Sequence, residues 1–425
     1  MKLKVVGVGV GVLLLAAGAM ALLPAIGSQY DRCLYGFYVE LDTPGGPLPF
    51  KLSYFNTPHT GTGWDGHISI GQKRTRVVVE SPTNSEHDIV VRFPHFDSTL
   101  QLSGVEDQLM TGSWTKTRGG TAASLSARSA GSLSDATGFA AIDTDVSPAN
   151  FDGRWRVNFS GSEEDAIGSF YQIDLEGDPY VMGTFETTTG DYRYLAGRVD
   201  GPYLRLSTFD GAHAFLFHAR MQDDGSLKGD FWSGNWHHEE WTAVRDENAT
   251  LPDAFEQTTV ADEEALEELI FKDIDGNPTR VLDALDATNA PARVLEIFGT
   301  WCPNCADAGR ELVSLKDKYG DKLGVVGLAF EITEDFERSA TQVRRHHKHI
   351  GSDWQVLIAG LSDKDKATAT LGFLDRVRSY PTLVFLNADS EVRAVYSGFS
   401  GPATGEAYTK QRERFEAMIE GMIGE

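Results

Sequence analysis

The residues with the clearest chemistry in this sequence are two cysteines three positions apart, in Trp301-Cys302-Pro303-Asn304-Cys305. The apolar run Val294–Phe298 before them predicts a buried strand, and periodic apolar residues after them predict a helix from Pro303 to Tyr319. The first turn of a helix has unpaired N–H groups and the positive end of the dipole, which both stabilise a thiolate. This placement predicts Cys302 as a nucleophile and Cys305, one turn deeper, as the thiol that resolves the mixed disulfide.

Two other interpretations of this pair are a structural disulfide and half of a metal site. The chain has three cysteines, Cys33, Cys302 and Cys305, so a site of four thiolates cannot be completed. A disulfide-stapled scaffold also needs more cysteines. The position between a strand and a helix is typical of a redox motif. We therefore expect thiol-disulfide chemistry, with no metal and no organic cofactor.

The charge balance argues against one broad class of function. The chain has 425 residues, with 38 Lys and Arg against 62 Asp and Glu, and its formal net charge is −24. A nucleic-acid binder needs a basic surface to neutralise phosphates, so we expect no nucleic-acid partner. The length predicts two or three domains at about 100–200 residues each.

Residues 1–27 are predicted to be a secretory signal peptide or a membrane anchor. Two lysines precede the apolar run Val5–Leu23, and Ala25 and Gly27 suit the small-residue positions of a cleavage site. The run is long for a signal and close to the ~20 residues that span a bilayer, which leaves inner-membrane anchoring open. Both interpretations predict a cell-envelope protein, periplasmic or membrane-anchored, with its body outside the cytoplasm. A buried core helix is the third interpretation.

Two stretches, residues 35–117 and 151–245, are predicted to be β-rich repeats. Short runs of alternating apolar residues in both are broken by Gly, Asn and Asp. Two pairs of similar segments occur in the same order, Phe93–Gln101 with Leu206–Ala214 and Leu109–Trp114 with Leu227–Trp232. This indicates a duplication. We predict two related antiparallel sheets, each closing into a barrel or sandwich, or both joined in one larger barrel.

Two segments of biased composition separate these regions. Residues 118–150 are rich in Gly, Ala, Ser and Thr, which predicts a linker or a long mobile loop. Residues 246–267 contain acidic residues without Lys or Arg, which predicts a solvated linker with a short helix near Glu263–Leu269. From residue 268, alternating strand and helix patterns predict an α/β domain covered on both faces. Within it, the basic run Arg344–His349 suits a solvated helix face.

Three motifs in this last domain resemble the thioredoxin superfamily, most closely its TlpA/ResA-type exported thiol-disulfide oxidoreductases. They are Phe298–Cys305, Gly324–Ala329 and Tyr380–Leu386, in the order and spacing of the family. The resemblance covers about residues 268–425 and does not account for residues 35–245. It implies a thioredoxin-like fold and the exchange of protein thiols and disulfides through the C-x-x-C dithiol.

The resemblance also implies further site residues. Pro381 would be a cis-proline that faces the C-x-x-C and lines the substrate groove, with Trp301 and Tyr380 as its substrate-binding neighbours. Glu296 stands where thioredoxins keep a buried Asp beneath the cysteines. It would therefore accept the proton of Cys305 in the resolving step. The alternative for Glu296 is a charge at an exposed strand position.

The sequence departs from the family at one position. TlpA/ResA-type reductases carry a Glu three residues after the second cysteine, where this chain has Ala308. Asp307 lies beside that position and Glu311 lies one turn on. Either Glu296 or Asp307 is therefore the candidate proton-handling carboxylate.

Together these features predict an exported disulfide reductase that acts on envelope proteins and receives electrons from a membrane or periplasmic donor. Two other functions stay open. One is a β-domain binding or scaffold protein with a redox-sensing thioredoxin-like module, and the other is a disulfide-forming oxidase. The reduction potential distinguishes reductase from oxidase.

Overall fold

The computed structural model describes residues 34–55, 63–70, 73–80, 88–104, 109–118, 121–130, 138–175 and 178–424. The predicted signal or anchor segment, residues 1–27, and Cys33 lie outside the described residues. Across the described ranges, no helix combines the length and the apolar character needed to cross a bilayer.

Eight antiparallel strands close a first barrel between residues 34 and 130. Each strand pairs with the next one in sequence, and β1 also pairs with β8, with Val39 opposite Ser129. Closure leaves no sheet edge open to other chains. The strands are β1 (Leu34–Thr43), β2 (Gly46–Phe55), β3 (Gly63–Ile70), β4 (Lys73–Glu80), β5 (Asp88–Phe93), β6 (Ser98–Ser103), β7 (Thr111–Arg118) and β8 (Thr121–Ala130).

A second barrel follows between residues 153 and 245. Strand β9 pairs with both β10 and β17, and β10 pairs with β11, which closes a ring of eight strands. The two-residue strand β12 is added to β11 outside this ring. The strands are β9 (Gly153–Phe159), β10 (Asp165–Leu175), β11 (Asp178–Thr187), β12 (Gly190–Asp191), β13 (Leu195–Asp200), β14 (Tyr203–Phe209), β15 (Ala214–Met221), β16 (Leu227–Ser233) and β17 (His237–Arg245).

The β region is thus two separate closed barrels. Of the predicted arrangements, this is the one in which each of the two sheets closes into its own barrel. The two pairs of similar segments fall on the fifth, sixth and seventh strands of each ring. The segments of the second pair are out of structural register by one residue. Trp114 lies in the core of the first barrel, whereas the core residue of the second barrel is Phe231 and not Trp232. Successive strand residues point to opposite faces, so a displacement of one residue exchanges inside for outside.

Residues 118–150 are not a continuous linker, because Thr121–Ala130 forms the last strand of the first barrel. Leu125 and Ala127 point into the barrel core, and the exposed Ser126 lies between them. A strand of this composition gains its stability from pairing with β7 and β1 rather than from its own apolar residues. Composition alone therefore led to the wrong prediction for this strand.

The acidic segment 246–267 is bound to the rest of the protein rather than solvated along its length. Asp253 accepts two hydrogen bonds from Arg414, both at 2.9 Å. Thr258 Oγ1 lies 2.6 Å from Ser397 Oγ, and Val260 forms a β-bridge with Leu374. The partners are far away in sequence, so local charge patterning could not predict them.

The C-terminal domain is a seven-stranded sheet with helices on both faces. The strand order is β19-β18-β22-β21-β20-β23-β24, and β20, β21 and β22 are parallel. Every residue of β20 and β21 is buried, as expected for a sheet covered on both faces. The elements are α1 (Glu263–Glu267), β18 (Ile270–Asp273), β19 (Pro278–Arg280), α2 (Val281–Asp286), β20 (Ala292–Phe298), α3 (Pro303–Tyr319), β21 (Leu323–Glu331), α4 (Phe336–Ile350), β22 (Gln355–Leu361), α5 (Lys364–Leu371), β23 (Thr382–Leu386), β24 (Val392–Ser397) and α6 (Glu406–Gly424).

Candidate active site

Cys302 is the residue that caps the N-terminus of α3. Its Sγ accepts a hydrogen bond from the Cys305 N–H at 3.2 Å, and Pro303 occupies the first turn of the helix. The carbonyl oxygen of Tyr380 lies 3.5 Å from the same sulfur. Cys302 is 7% exposed, so the sulfur is reachable only from a restricted direction. The helix terminus and this N–H donor both face the sulfur, a setting typical of nucleophilic cysteines.

Cys305 lies one turn deeper and is fully buried. Burial raises the pKa of its thiol well above the usual range, and the hydrogen bond with Cys302 and the charge of Cys302 raise it further. A thiol in this state is a poor nucleophile until a base removes its proton. The pair therefore has one sulfur at the surface of the site and one inside it.

Glu296 lies in the middle of β20 and is 1% exposed, which excludes the exposed-strand interpretation. Its Oε1 has no hydrogen-bond partner among the residues that the structure describes. Burial raises the pKa of Glu296 to about 8, and the nearby charge of Cys302 adds to the increase. The charge of Glu296 in turn raises the pKa of Cys305. A buried, unpaired carboxyl is thus electrostatically coupled to both cysteines.

The predicted substrate-binding residues surround Cys302. The Tyr380–Pro381 peptide bond is cis. The Trp301 ring meets the Tyr380 ring edge-on at a centroid distance of 5.7 Å, and Trp301 Nε1 donates to the Phe330 carbonyl at 3.0 Å. The tertiary structure therefore brings together the residues that the motifs singled out far apart in the sequence.

The two carboxylates of α3 have other partners. Asp307 accepts hydrogen bonds from Arg193 of the second barrel and from Arg310 at 2.9 Å. Glu311 is buried, where it accepts a hydrogen bond from the Tyr408 hydroxyl and pairs with Arg412 at 3.3 Å. Neither group shares the unpaired state of Glu296. Asp307 instead joins the helix that carries the cysteines to the second barrel.

Sequence analysis missed one further carboxylate, Glu331. It accepts hydrogen bonds from the backbone N–H of Thr300 at 2.9 Å and from the Thr300 hydroxyl at 2.8 Å. Burial raises the pKa of Glu331 to about 7. These bonds hold the loop that leads from β20 to Cys302. An acidic residue at the end of an otherwise apolar strand is the signal that could have identified it, because sites lie at the carboxyl edge of parallel strands.

Sequence analysis also missed the contribution of the barrels to the site. A cavity of about 610 Å³ lies in front of Cys302, and all three domains line it. Its walls include His95 and Lys116 of the first barrel, Tyr192 and Trp236 of the second, and Cys302 and Tyr380 of the C-terminal domain. Within the described ranges, no group of three or more His, Cys, Asp and Glu side chains has a metal-binding arrangement.

Three sets of contacts, which we name clamps, attach the barrels around this cavity. In the first clamp, Asp97 of the first barrel pairs with Arg338 and, at 3.4 Å, with Arg345 of α4. His95 stacks on His349 beside it, with ring centroids 3.5 Å apart. The prediction of a solvated face for Arg344–His349 is therefore wrong at this end of the helix, because His346 is also buried.

The second and third clamps come from the second barrel. In the second, Arg193 binds Asp307 and donates to Asn304 at 3.1 Å, and the Asp191 carboxylate accepts the Gly401 N–H at 2.5 Å. In the third, Glu164 pairs with Arg378, which also donates to the Thr188 hydroxyl at 3.0 Å. Asn304 lies between the two cysteines and Arg378 three residues before Pro381, so both clamps are next to the candidate site.

Comparisons with known proteins return solved structures that each cover about a third of this chain. No family model matches the chain, and no curated protein matches it. Solved structures with similarity include a thiol:disulfide interchange protein of the thioredoxin family from Chlorobium tepidum (18% identity, TM-score 0.27), which covers 36% of this chain and 92% of its own. A secreted disulfide oxidoreductase from Mycobacterium tuberculosis (17%, TM-score 0.26) covers 35% and 97%. An exposed lipoprotein thioredoxin from Streptococcus pneumoniae (21%, TM-score 0.23) covers 34% and 98%.

The architecture of residues 268–424 is itself that of a thioredoxin-like domain. A C-x-x-C begins the helix that follows a central parallel strand, and a cis-proline precedes the antiparallel strand β23 beside it. The predicted thioredoxin resemblance of the C-terminal region is confirmed.

Proposed function

We propose that this protein is an exported thiol-disulfide oxidoreductase that works as a disulfide reductase. The observation that carries this proposal is the geometry of the dithiol. Cys302 caps α3 and accepts the Cys305 N–H, while Cys305 and the unpaired Glu296 are buried behind it. This arrangement combines an accessible nucleophile, a sheltered second thiol and a proton acceptor.

The reaction begins with attack of the Cys302 thiolate on one sulfur of a substrate disulfide. A mixed disulfide forms, and the other substrate sulfur leaves as a thiolate that takes a proton from water. Glu296 then removes the proton of Cys305, whose sulfur attacks Cys302 Sγ. The products are the second substrate thiol and an oxidised Cys302–Cys305 pair. A dithiol electron donor must reduce this pair before the next cycle.

Trp301, Tyr380 and Pro381 are proposed to hold the substrate beside Cys302. The resemblance implies protein disulfides as substrates and a membrane or periplasmic donor, in keeping with export of the body through residues 1–27. A protein substrate would have to present its disulfide between the two barrels. The clamps support an accessory role of the barrels at the redox site over an independent scaffold, because barrel residues line the cavity in front of Cys302.

Single-turnover oxidation of the reduced protein tests the roles of the two cysteines. We use a Cys33→Ser background, so that the remaining thiols are Cys302 and Cys305, and bis(2-hydroxyethyl) disulfide as the oxidant. Cys302→Ser should abolish the reaction, and Cys305→Ser should stop at a mixed disulfide visible by mass spectrometry. Retained oxidation in Cys302→Ser contradicts the assignment of the nucleophile.

Replacement of Glu296 tests the resolving step. Glu296→Gln keeps the shape of the side chain but cannot accept the proton, so resolution should slow by ~10²–10⁴-fold while the first attack is little changed. The wild-type resolution rate should rise with pH as Glu296 ionises near its pKa of about 8, and the variant should lack this rise. Rapid mixing with acid quench measures both steps.

Glu311→Gln is the matched control for this experiment, because it removes a buried carboxylate of α3 that bonds to Tyr408 and Arg412. Resolution in this variant should keep the wild-type rate and pH profile. A wild-type resolution rate in Glu296→Gln across neutral pH would assign Glu296 a purely structural role.

The direction of exchange is tested by the reduction potential of the Cys302–Cys305 pair. A reductase should lie near the thioredoxin value of about −270 mV, whereas a strong disulfide-forming oxidase lies near about −120 mV. Equilibration with glutathione buffers, followed by thiol trapping, measures the value. A potential at the oxidising end would replace the reductase with the oxidase.

A further inference from the structure

The cavity in front of Cys302 has the size of a small-molecule site. Its volume of about 610 Å³ falls inside the range of about 300–1,000 Å³ that is usual for pockets that bind small ligands. The barrels form much of its wall, and Cys302 is mostly covered. A disulfide that reaches Cys302 through this cavity therefore meets side chains of both barrels.

The three clamps attach the barrels to three different segments of the C-terminal domain around Cys302. The first clamp joins the first barrel to α4, the second joins the second barrel to the start of α3, and the third joins it to the segment before Pro381. Each clamp contains an ion pair with its own partners. Because the three ion pairs share no residue, loss of one clamp leaves the other two in place.

On the cavity wall, the carboxylates have hydrogen-bond or ion-pair partners, whereas some of the donor atoms have none among the described residues. The lining carboxylates are occupied: Asp97 binds Arg338, Asp191 accepts the Gly401 N–H, and Glu331 accepts both Thr300 donors. On the donor side, Arg338 Nη1 has no hydrogen-bond partner within the described part of the chain.

Two further donors lie on the same wall. The Tyr380 hydroxyl also has no hydrogen-bond partner among the described residues. Lys364 lines the cavity as well. Both unpartnered atoms are themselves covered, so the groups that a ligand in the cavity meets are the cationic side chains of Arg338 and Lys364. A carboxylate suits these cations, because it accepts hydrogen bonds and donates none.

From the size of the cavity and the cations on its wall we propose that the substrate is a low-molecular-weight disulfide that carries carboxylates, recognised by Arg338 and Lys364. This inference rests on the proposed function and replaces the protein disulfides implied by the sequence resemblance. The chemistry is unchanged: R–S–S–R and the reduced Cys302–Cys305 pair give two RSH and the oxidised pair. The two electrons come from the dithiol, and each RS⁻ that leaves takes one proton.

The test compares three disulfides on the reduced full chain in the Cys33→Ser background. They are oxidised glutathione, its tetraester, which keeps both ammonium groups but has no carboxylate, and insulin. Each single-turnover rate is divided by the rate of the same disulfide with dithiothreitol, which removes differences in intrinsic reactivity. We expect oxidised glutathione to exceed its ester by about tenfold, since a charged hydrogen bond is lost in the ester. Insulin should be slower than both.

Two variants locate the recognition. Arg338→Gln and Lys364→Gln should each remove most of the preference for oxidised glutathione over its ester. Arg338→Gln also removes the Arg338–Asp97 ion pair and could disturb folding. Lys364→Gln avoids this problem, because Lys364 lies on α5 and takes part in none of the three clamps. Arg344→Gln is the matched control, since Arg344 lies on α4 but pairs with Asp275 instead. It should behave as the wild type.

The outcomes separate this inference from the proposed function. A normalised insulin rate equal to or above that of oxidised glutathione overturns the small-substrate inference and leaves the oxidoreductase intact. Equal rates for oxidised glutathione and its ester, or an unchanged preference in both variants, overturn the carboxylate recognition. Absence of reaction with every disulfide overturns the proposed function itself.

Discussion

The two barrels share a strand order and a turn motif, yet they use that turn for different contacts. In the first barrel, Phe96 and Asp97 lie between β5 and β6, and Asp97 pairs with the C-terminal domain. In the second barrel, the matching Phe209 and Asp210 begin the turn between β14 and β15. That turn contacts the first barrel instead.

Phe209 packs into the core of the first barrel. Its ring stacks on Phe50 with centroids 4.3 Å apart and meets Trp114 edge-on at 5.2 Å. Nearby, the Ser207 hydroxyl donates to the Pro49 carbonyl at 2.8 Å. These contacts join the two barrels through an apolar core rather than through surface charges.

Asp210 remains within the second barrel. It lies 3.3 Å from both Arg193 Nε and His213 Nδ1. Burial alone would raise the pKa of Asp210, but the charge and hydrogen bonds of His213 and the charge of Arg193 hold it below its usual range. The second barrel reaches the C-terminal domain through Arg193, β12 and Glu164 instead of through the turn. Similar local sequences thus acquired different partners, because the surfaces opposite them differ.

The largest expected effect comes from removing the aromatic contact between the barrels. Phe209→Ala should lower the free energy of unfolding by about 3–5 kcal/mol, as is usual for a buried Phe. Phe96→Ala should cost less, because the Phe96 ring contacts His95 and His349 at the edge of the first barrel. Urea unfolding of the full chain measures both.

Tyr171→Ala serves as the control for aromatic loss, since Tyr171 is 59% exposed on the second barrel and should change little. Equal losses of unfolding free energy for Phe209→Ala and Phe96→Ala would show that the two turns contribute equally to stability. That result would contradict the difference between the two turns described here.

A smaller effect is expected from the charged clamps. Arg193→Ala removes one partner of a pair whose side chains are 16% and 12% exposed, and such a loss costs about 3 kcal/mol. Arg345→Ala removes a 45% exposed partner of Asp97, which costs about 0–1 kcal/mol. Iodoacetamide labelling should also reach Cys302 faster in Arg193→Ala. Labelling at the wild-type rate would mean that the second clamp does not cover Cys302.

A further effect concerns pH at the first clamp. Burial, the charge of His349 and the charge of Arg310 lower the pKa of His95 to about 3, and burial with Arg310 lowers the pKa of His349 to about 4. Both pKa values are near 6.5 in the unfolded chain, so the unfolded state binds more protons. The stability is therefore complete above about pH 6.5 and falls as the pH approaches 4 and then 3.

His95→Phe keeps a ring against His349 without the titrating group. Between pH 7 and pH 4.5 it should lose about 2–3 kcal/mol less stability than the wild type, as follows from a pKa of 6.5 in the unfolded chain and about 3 in the folded one. The control is His237→Phe on the second barrel, where the His237 side chain is 49% exposed. Urea unfolding at a series of pH values is the measurement, and identical pH profiles for His95→Phe and wild type would contradict the prediction.

The sequence by itself determined the C-x-x-C pair and the α/β order around it. Cys302 and Cys305 lie between a buried strand and a helix, and those elements depend on local apolar periodicity, which can be read along the chain. The duplication was visible for the same reason, because turn residues repeat at equivalent strands. The burial of Glu296 followed from its place in a strand covered on both faces.

Only the tertiary structure decided what surrounds that centre. Strand β8 has too little apolar character to be recognised locally, and its stability comes from pairing with β7 and β1. The clamps join residues more than a hundred positions apart, such as Arg193 with Asp307 and Asp97 with Arg338. Ion pairs and cavity walls of this kind have no periodic signal, since they depend on which surfaces meet once each domain has formed.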